Sequence, residues 1–152
     1  RSQNPTLLKK TRPYGAANPT LFQIMQSKRS LLYHCCGSLF ALSAVLLGAF
    51  GAHALKETLL AHDSVATWET AVRYQMWHAL ALLILPHCLQ SKGIRRAAGL
   101  CFIVGIVLFS GSLYGLALDG PKWLGPITPL GGISFLCGWS LLLFSSFKSA
   151  SA

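Results

Sequence analysis

The chain holds 152 residues in 16.4 kDa, the size of one compact unit. Hydrophobic residues make up 53% and charged residues 11%, against roughly 25% charged in a soluble globular domain, so composition excludes an ordinary water-soluble fold. The net charge of +9 is not accompanied by aromatic or polar residues interleaved with the cations, which excludes nucleic acid as the partner and leaves membrane topology as its meaning.

Residues 1–30 contain six of the thirteen Lys and Arg residues (Arg1, Lys9, Lys10, Arg12, Lys28, Arg29) and no acid. The segment opens on Arg rather than Met and is rich in Ser, Thr and Asn. It resembles organelle-targeting sequence or its remainder, and a processed or trimmed chain is expected. Pro5, Pro13 and Pro19 argue against one continuous amphipathic helix. The expectation is an extended basic strap lying across a larger assembly.

Residues 31–148 are expected to form a transmembrane domain. A bilayer core about 30 Å thick needs roughly 20 apolar residues in a helix, and four segments meet that need: residues 31–55, 71–89, 97–118 and 124–147. The first, third and fourth are free of formal charge. The second carries Arg73, Gln75, His78 and Pro86, and its helix is expected to start earlier, with Asp63 or Ser64 as N-cap. Short loops force neighbouring helices to be antiparallel. The expected fold is therefore all-α, a four-helix transmembrane bundle with an extended basic N-terminal segment.

Charge gives that bundle an orientation. The N-terminal segment, the connection with Lys92, Arg95 and Arg96, and the tail with Lys148 place ten cations and no acid on one side. Lys56, Arg73 and Lys122 lie on the other with all four acids, Glu57, Asp63, Glu69 and Asp119. By the positive-inside rule both termini face the cytoplasm or, in a mitochondrion, the matrix. The connection from Lys56 to Thr70 is expected to lie along the interface on Leu55, Leu59, Leu60, Ala66 and Trp68. An aromatic belt of Trp68, Tyr74, Trp77, Tyr114 and Trp123 is expected at the acidic-side boundary.

Helices associate in lipid through close backbone approach, which small residues permit. Gly48 in the first span, the G-x-x-x-G pair Gly111 and Gly115 in the third, and Gly131, Gly132 and Gly138 in the fourth are the candidate packing positions. Packing within the bundle is favoured over a dedicated dimer interface, because such patterns are common in membrane helices.

Several strings carry a family resemblance: GAFGAHAL at 48–55, WETAVRYQ at 68–75 leading to HALAL at 78–82, FSGSLY at 109–114, and LGPITPLGG at 124–132 with Gly138 and Trp139. In this order, over about residues 35–145, the chain resembles the domain of unknown function 423 family of transmembrane protein 256-like small membrane proteins. The resemblance implies a four-helix integral membrane protein, with eukaryotic members associated with mitochondria, and no established activity. The segment before residue 30 lies outside the family core.

His53 and His78 fall within the recognised strings. A structural hydrogen-bonded cluster of His53, Glu69, Arg73, Tyr74 and His78, with Gln75 at hand, is favoured over a proton pathway or haem site. Glu69 and Arg73 have the i, i+4 order of a local ion pair. At the opposite end, His34, Cys35 and Cys36 face His87 and Cys88 across antiparallel helices, a conceivable metal set without a standard ligand spacing. Buried small hydrophobes are the favoured reading of these Cys, and no metal or other cofactor is expected. Five Cys without a CxxC pattern argue against a disulfide framework.

Catalysis is not expected: no phosphate loop, paired carboxylates, nucleophile elbow or metalloprotease string occurs in the chain. The leading expectation is a non-catalytic accessory subunit of a mitochondrial inner-membrane respiratory-chain complex, cytochrome oxidase or complex I. Both termini would face the matrix, with other membrane subunits and lipids such as cardiolipin as partners. The alternative is a small transporter, channel or lipid-binding protein built around a polar His site.

Overall fold

The computed structural model describes the backbone of residues 19–88 and 91–150 and the side chains of residues 31–88 and 91–147. No strand occurs among the described residues. The helices are α1 (Pro19–Ala52), α2 (Lys56–Ala61), α3 (Val65–Cys88), α4 (Lys92–Gly105), α5 (Gly111–Ala117) and α6 (Ile127–Ala150). A π-helical turn, Ile106–Ser110, joins α4 to α5, and a 3-10 turn, Lys122–Leu124, leads into α6.

The expected extended strap is corrected over residues 19–30, which are helical. Pro19 begins α1 where a missing N–H costs no hydrogen bond, and no Gly or Pro follows until Gly37. Most of the strap expectation, residues 1–18, lies outside the described residues.

Leu31–Ala52, Lys92–Ala117 and Lys122–Phe147 are long and apolar enough to cross a membrane. The fourth long helix, α3, has 24 residues, about 36 Å, but carries Glu69, Arg73, Gln75 and His78. Gln75 and His78 are buried between α1, which packs along one side of α3, and the α4–α5 rod, which packs along another, while Glu69 and Arg73 stay exposed near its start. The fold is an all-α membrane bundle. Side-chain pairings run antiparallel at each contact, with Gln75 beside Phe40, Tyr114 beside Gln75 and Ser134 beside Cys101.

The helix boundaries shift from those expected, for local reasons. Of the two N-cap candidates Ser64 takes the position, directly before Val65 and with its carbonyl accepting from the Trp68 N–H at 3.0 Å, while Asp63 belongs to the end of α2. Asp63 adopts a left-handed conformation with φ of 49°, and the Asp63 and Ser64 N–H groups donate to the Leu60 and Leu59 carbonyls. That is a Schellman end to α2. The same device ends α5, where Asp119 has φ of 58° and the Gly120 N–H donates to Gly115 at 2.8 Å. The Ser64 hydroxyl instead donates to the Ala117 carbonyl at 2.7 Å, tying the start of α3 to the end of α5.

Of the residues expected on the interface in the Lys56–Thr70 connection, Leu60 and Ala66 are exposed and Leu59 and Trp68 turn inward. Leu59 and Trp68 are buried together with Ala117, forming a small core at the acidic end. A larger core in the middle of the bundle gathers Leu82, Leu85, Phe102, Ile106 and Phe135. Of the five aromatic-belt candidates, Trp68 is buried, Tyr74 and Tyr114 are half-buried, and Trp77 and Trp123 face outward at 54% and 64% exposure.

Candidate functional site

The interior of the bundle is organised by two polar side chains of α3, each 4% exposed. Gln75 stands at the junction of three helices. Its amide nitrogen donates to the Phe40 carbonyl at 2.9 Å and to the Ser43 hydroxyl at 2.7 Å, both on α1. Its amide oxygen accepts from the Tyr114 hydroxyl of α5 at 3.0 Å. In an apolar medium each of these groups would be costly unpaired, so together they fix the register of α1, α3 and α5.

His78 lies one turn further along α3. Its Nδ1–H donates to the Tyr74 carbonyl at 2.7 Å, which leaves Nε2 as the acceptor for the Trp139 indole N–H of α6 at 3.1 Å. The imidazole stacks on Phe135 with centroids 3.4 Å apart and planes 8° from parallel. Phe102 and Trp139 close the aromatic group at 5.2 Å from each other. Both ring nitrogens are therefore engaged by protein.

The expected cluster of His53, Glu69, Arg73, Tyr74 and His78 is divided by this geometry. Tyr74 and His78 are neighbours, with rings 6.1 Å apart. Glu69 and Arg73 pair at 3.5 Å on an exposed face, with side chains 62% and 57% accessible. His53 is exposed in the turn after α1, at the level of Trp68, roughly 15 Å of helix away from His78. The residues that complete the polar core, Ser43, Tyr114 and Trp139, come from other helices.

The glycine positions also divide. A Cβ on Gly131 would collide with the Phe109 backbone, and one on Gly138 with the Phe102 ring, so these two permit the close approach of α6. Gly115 lies against Leu124, while Gly48 and Gly132 make only ordinary contacts at 3.4 and 3.9 Å. Gly111 faces open space, which corrects its expected packing role. Gly37, Gly51, Gly99 and Gly105 do what the G-x-x-x-G pattern failed to indicate, receiving Leu83, Trp68, Tyr33 and Phe135.

At the cation-rich end, His34 and His87 meet edge-on with centroids 5.7 Å apart. Cys35 and Cys88 are exposed beside them and Cys36 is half-buried. No group of three or more His, Cys, Asp or Glu with metal-binding geometry occurs among the described residues.

Comparison with known proteins gives this architecture a context. Residues 47–132 match the family model described as Protein of unknown function (DUF423). The chain is 45% identical over 120 residues to a UPF0382 membrane protein of Staphylococcus aureus strain bovine RF122, covering 78% of this chain and 98% of the relative. It is 44% identical over 115 residues to the UPF0382 membrane protein YwdK of Bacillus subtilis, covering 74% and 93%. No solved structure matches. These relatives are bacterial, and bacteria have no mitochondria. The expected mitochondrial inner membrane, with termini in a matrix, is corrected to a membrane location without that organelle.

Proposed function

Because the chain belongs to the family described as Protein of unknown function (DUF423), whose relatives are named membrane proteins, we propose that it is a non-catalytic accessory or structural membrane protein that works by packing against other membrane subunits. The observation that carries this reading is His78. A buried imidazole with Nδ1–H committed to Tyr74 and Nε2 committed to Trp139 is a structural clasp, with no ring nitrogen left to pass a proton or hold a haem iron. Its stacking on Phe135 favours this reading over the transporter or channel alternative.

The working surface is then the outside of the bundle. Leu39, Leu42, Leu46 and Phe50 form an apolar face along α1, and Leu136, Leu143, Phe144 and Phe147 do the same along α6. Partner subunits and lipid compete for these faces through van der Waals packing. The charge distribution supports both termini on the cytoplasmic side.

Native electrophoresis of membranes solubilised in mild detergent, followed by mass spectrometry of the bands, tests the reading. Migration in a larger assembly with reproducible partner subunits is the expected result. Migration solely as a small free species sinks it.

A further inference from the structure

A cleft of about 390 Å³ opens between the end of α1, α2 and the first turns of α3. Its floor is apolar: Gly48 and Gly51 offer bare backbone, and Trp68 and Val72 supply side-chain surface. Its rim is charged, with Lys56, Arg73 and Glu69. The volume falls within the roughly 300–1,000 Å³ of small-molecule sites. Charge and position on this rim are unusual for the molecule. The acidic side of the bundle carries only three cations, and two of them line this one cleft against a single carboxylate.

We propose that this cleft binds one anionic phospholipid of the surrounding membrane. The site lies where the apolar run of α1 ends and charged residues begin, which is the depth of the lipid phosphate. Arg73 presents a planar fork suited to two phosphate oxygens, and Lys56 adds a point charge. Their long stems let the charged heads reach the headgroup level while the carbon chains cover the apolar floor. An acyl chain lies in the cleft against the apolar lining of Leu60, Val65, Trp68 and Val72, with Trp68 and Val72 packed onto Gly51 and Gly48 behind them. Glu69, paired with Arg73 at 3.5 Å, competes with the phosphate for the guanidinium and sets the affinity below its maximum. A soluble anion lacks the chain that the apolar floor receives. The proposal stands independently of the accessory-subunit reading, because it requires only the membrane bundle.

The test uses the full chain in detergent with equimolar phosphatidylglycerol and phosphatidylcholine of the same acyl chains, read by native mass spectrometry. One retained phosphatidylglycerol is expected in preference to phosphatidylcholine by about fivefold or more, the worth of a basic residue near an anionic surface. Lys56→Gln with Arg73→Gln should abolish the preference. Glu69→Gln should raise it, a gain that misfolding does not produce. Arg96→Gln, on the opposite side, should leave it unchanged. Equal retention of the two lipids by the wild type overturns the proposal, as does a preference that survives loss of both cations, falls in Glu69→Gln or vanishes in Arg96→Gln. Displacement of phosphatidylglycerol by excess inorganic phosphate would make the site one for a free anion and overturn it equally.

Discussion

The Trp139 indole N–H donates to His78 Nε2 at 3.1 Å, linking α6 to α3 across 61 residues of sequence. With Nδ1–H already given to the Tyr74 carbonyl, this bond fixes the imidazole as the Nδ1–H tautomer and places its plane against Phe135. Trp139→Phe keeps an aromatic ring at the position but leaves Nε2 without its donor. A loss of about 1 kcal/mol or more in unfolding free energy is expected, because a buried acceptor without a partner keeps its desolvation cost. Thermal unfolding in detergent checks it, and an unchanged midpoint would mean that the bond contributes nothing.

Gln75 and Tyr114 belong to a different clasp, one that joins α3 to α5 while Gln75 also holds α1. Tyr114→Phe and Gln75→Leu should each destabilise the bundle. Made together they should cost less than the sum, with a coupling of about 0.5–3 kcal/mol, because the second substitution removes a group that the first has already orphaned. A double-mutant cycle on detergent unfolding measures it directly. Strict additivity would show that the hydroxyl and the amide do not act as one unit.

How much of this was legible follows from the range of each signal. Residues 31–55, 97–118 and 124–147 are legible as charge-free apolar runs, overlapping the spans Leu31–Ala52, Lys92–Ala117 and Lys122–Phe147, because lipid imposes its requirement on every residue in turn. The α3 helix is harder to read, since Gln75 and His78 are tolerated only through partners such as Phe40, Tyr114 and Trp139, which no local pattern in α3 contains. The candidate cluster took His53 with His78 because both fall in the recognised strings, but shared membership of a family pattern does not imply contact, and about 15 Å of helix separates them. Glu69 and Arg73 were placed correctly beside each other because their i, i+4 spacing is itself a local geometry. The π turn at Ile106–Ser110 has no composition signal, yet it inserts one residue and so rotates Tyr114 by about 100° relative to a continuous α-helix. Mitochondrial location was read from the basic, acid-free residues at the start of the chain together with the family's eukaryotic members, and the bacterial relatives overrule it.

The two Asp residues at helix ends give a backbone prediction. Asp63 and Asp119 occupy left-handed positions at which Gly is the usual residue. Asp119→Gly should stabilise the bundle by up to about 1 kcal/mol, and Asp119→Ala should destabilise it, since Ala has neither the freedom of Gly nor a side chain that can bond locally. Opposite shifts in the unfolding midpoint of the two variants are the expected readout. Two shifts of the same sign would count against the backbone explanation.

Orientation can be read chemically. Gly93 lies at the cation-rich end with nothing within 4 Å of a built Cβ, so Gly93→Cys is structurally tolerated. Lys122→Cys lies at the acidic end, in an exposed turn. In a background with the five native Cys replaced, a membrane-impermeant maleimide added to intact bacterial cells should label Lys122→Cys. It should reach Gly93→Cys only after permeabilisation. The reverse pattern would invert the topology.

Gly111 and Gly131 separate a packing role from a sequence motif. Both sit in recognised strings, and Gly111 belongs to the G-x-x-x-G pair that sequence reading favours. A Cβ at Gly131 meets the backbone of Phe109, which cannot rotate away as a side chain would, so α6 must move off the π turn to admit it. That shift would also disturb the Phe135 stack on His78, one turn along the same helix. Gly131→Ala should therefore cost about 1–3 kcal/mol, the range of overpacking in a filled core. Gly111→Ala meets nothing within 4 Å and has an ordinary helical φ of −60°. It should be neutral or stabilising by up to about 1 kcal/mol, the gain in helix propensity. Unfolding midpoints of the two variants in the same detergent test the contrast. If Gly111→Ala proves the more damaging, the G-x-x-x-G pair serves an interface with a second chain rather than the packing of this bundle.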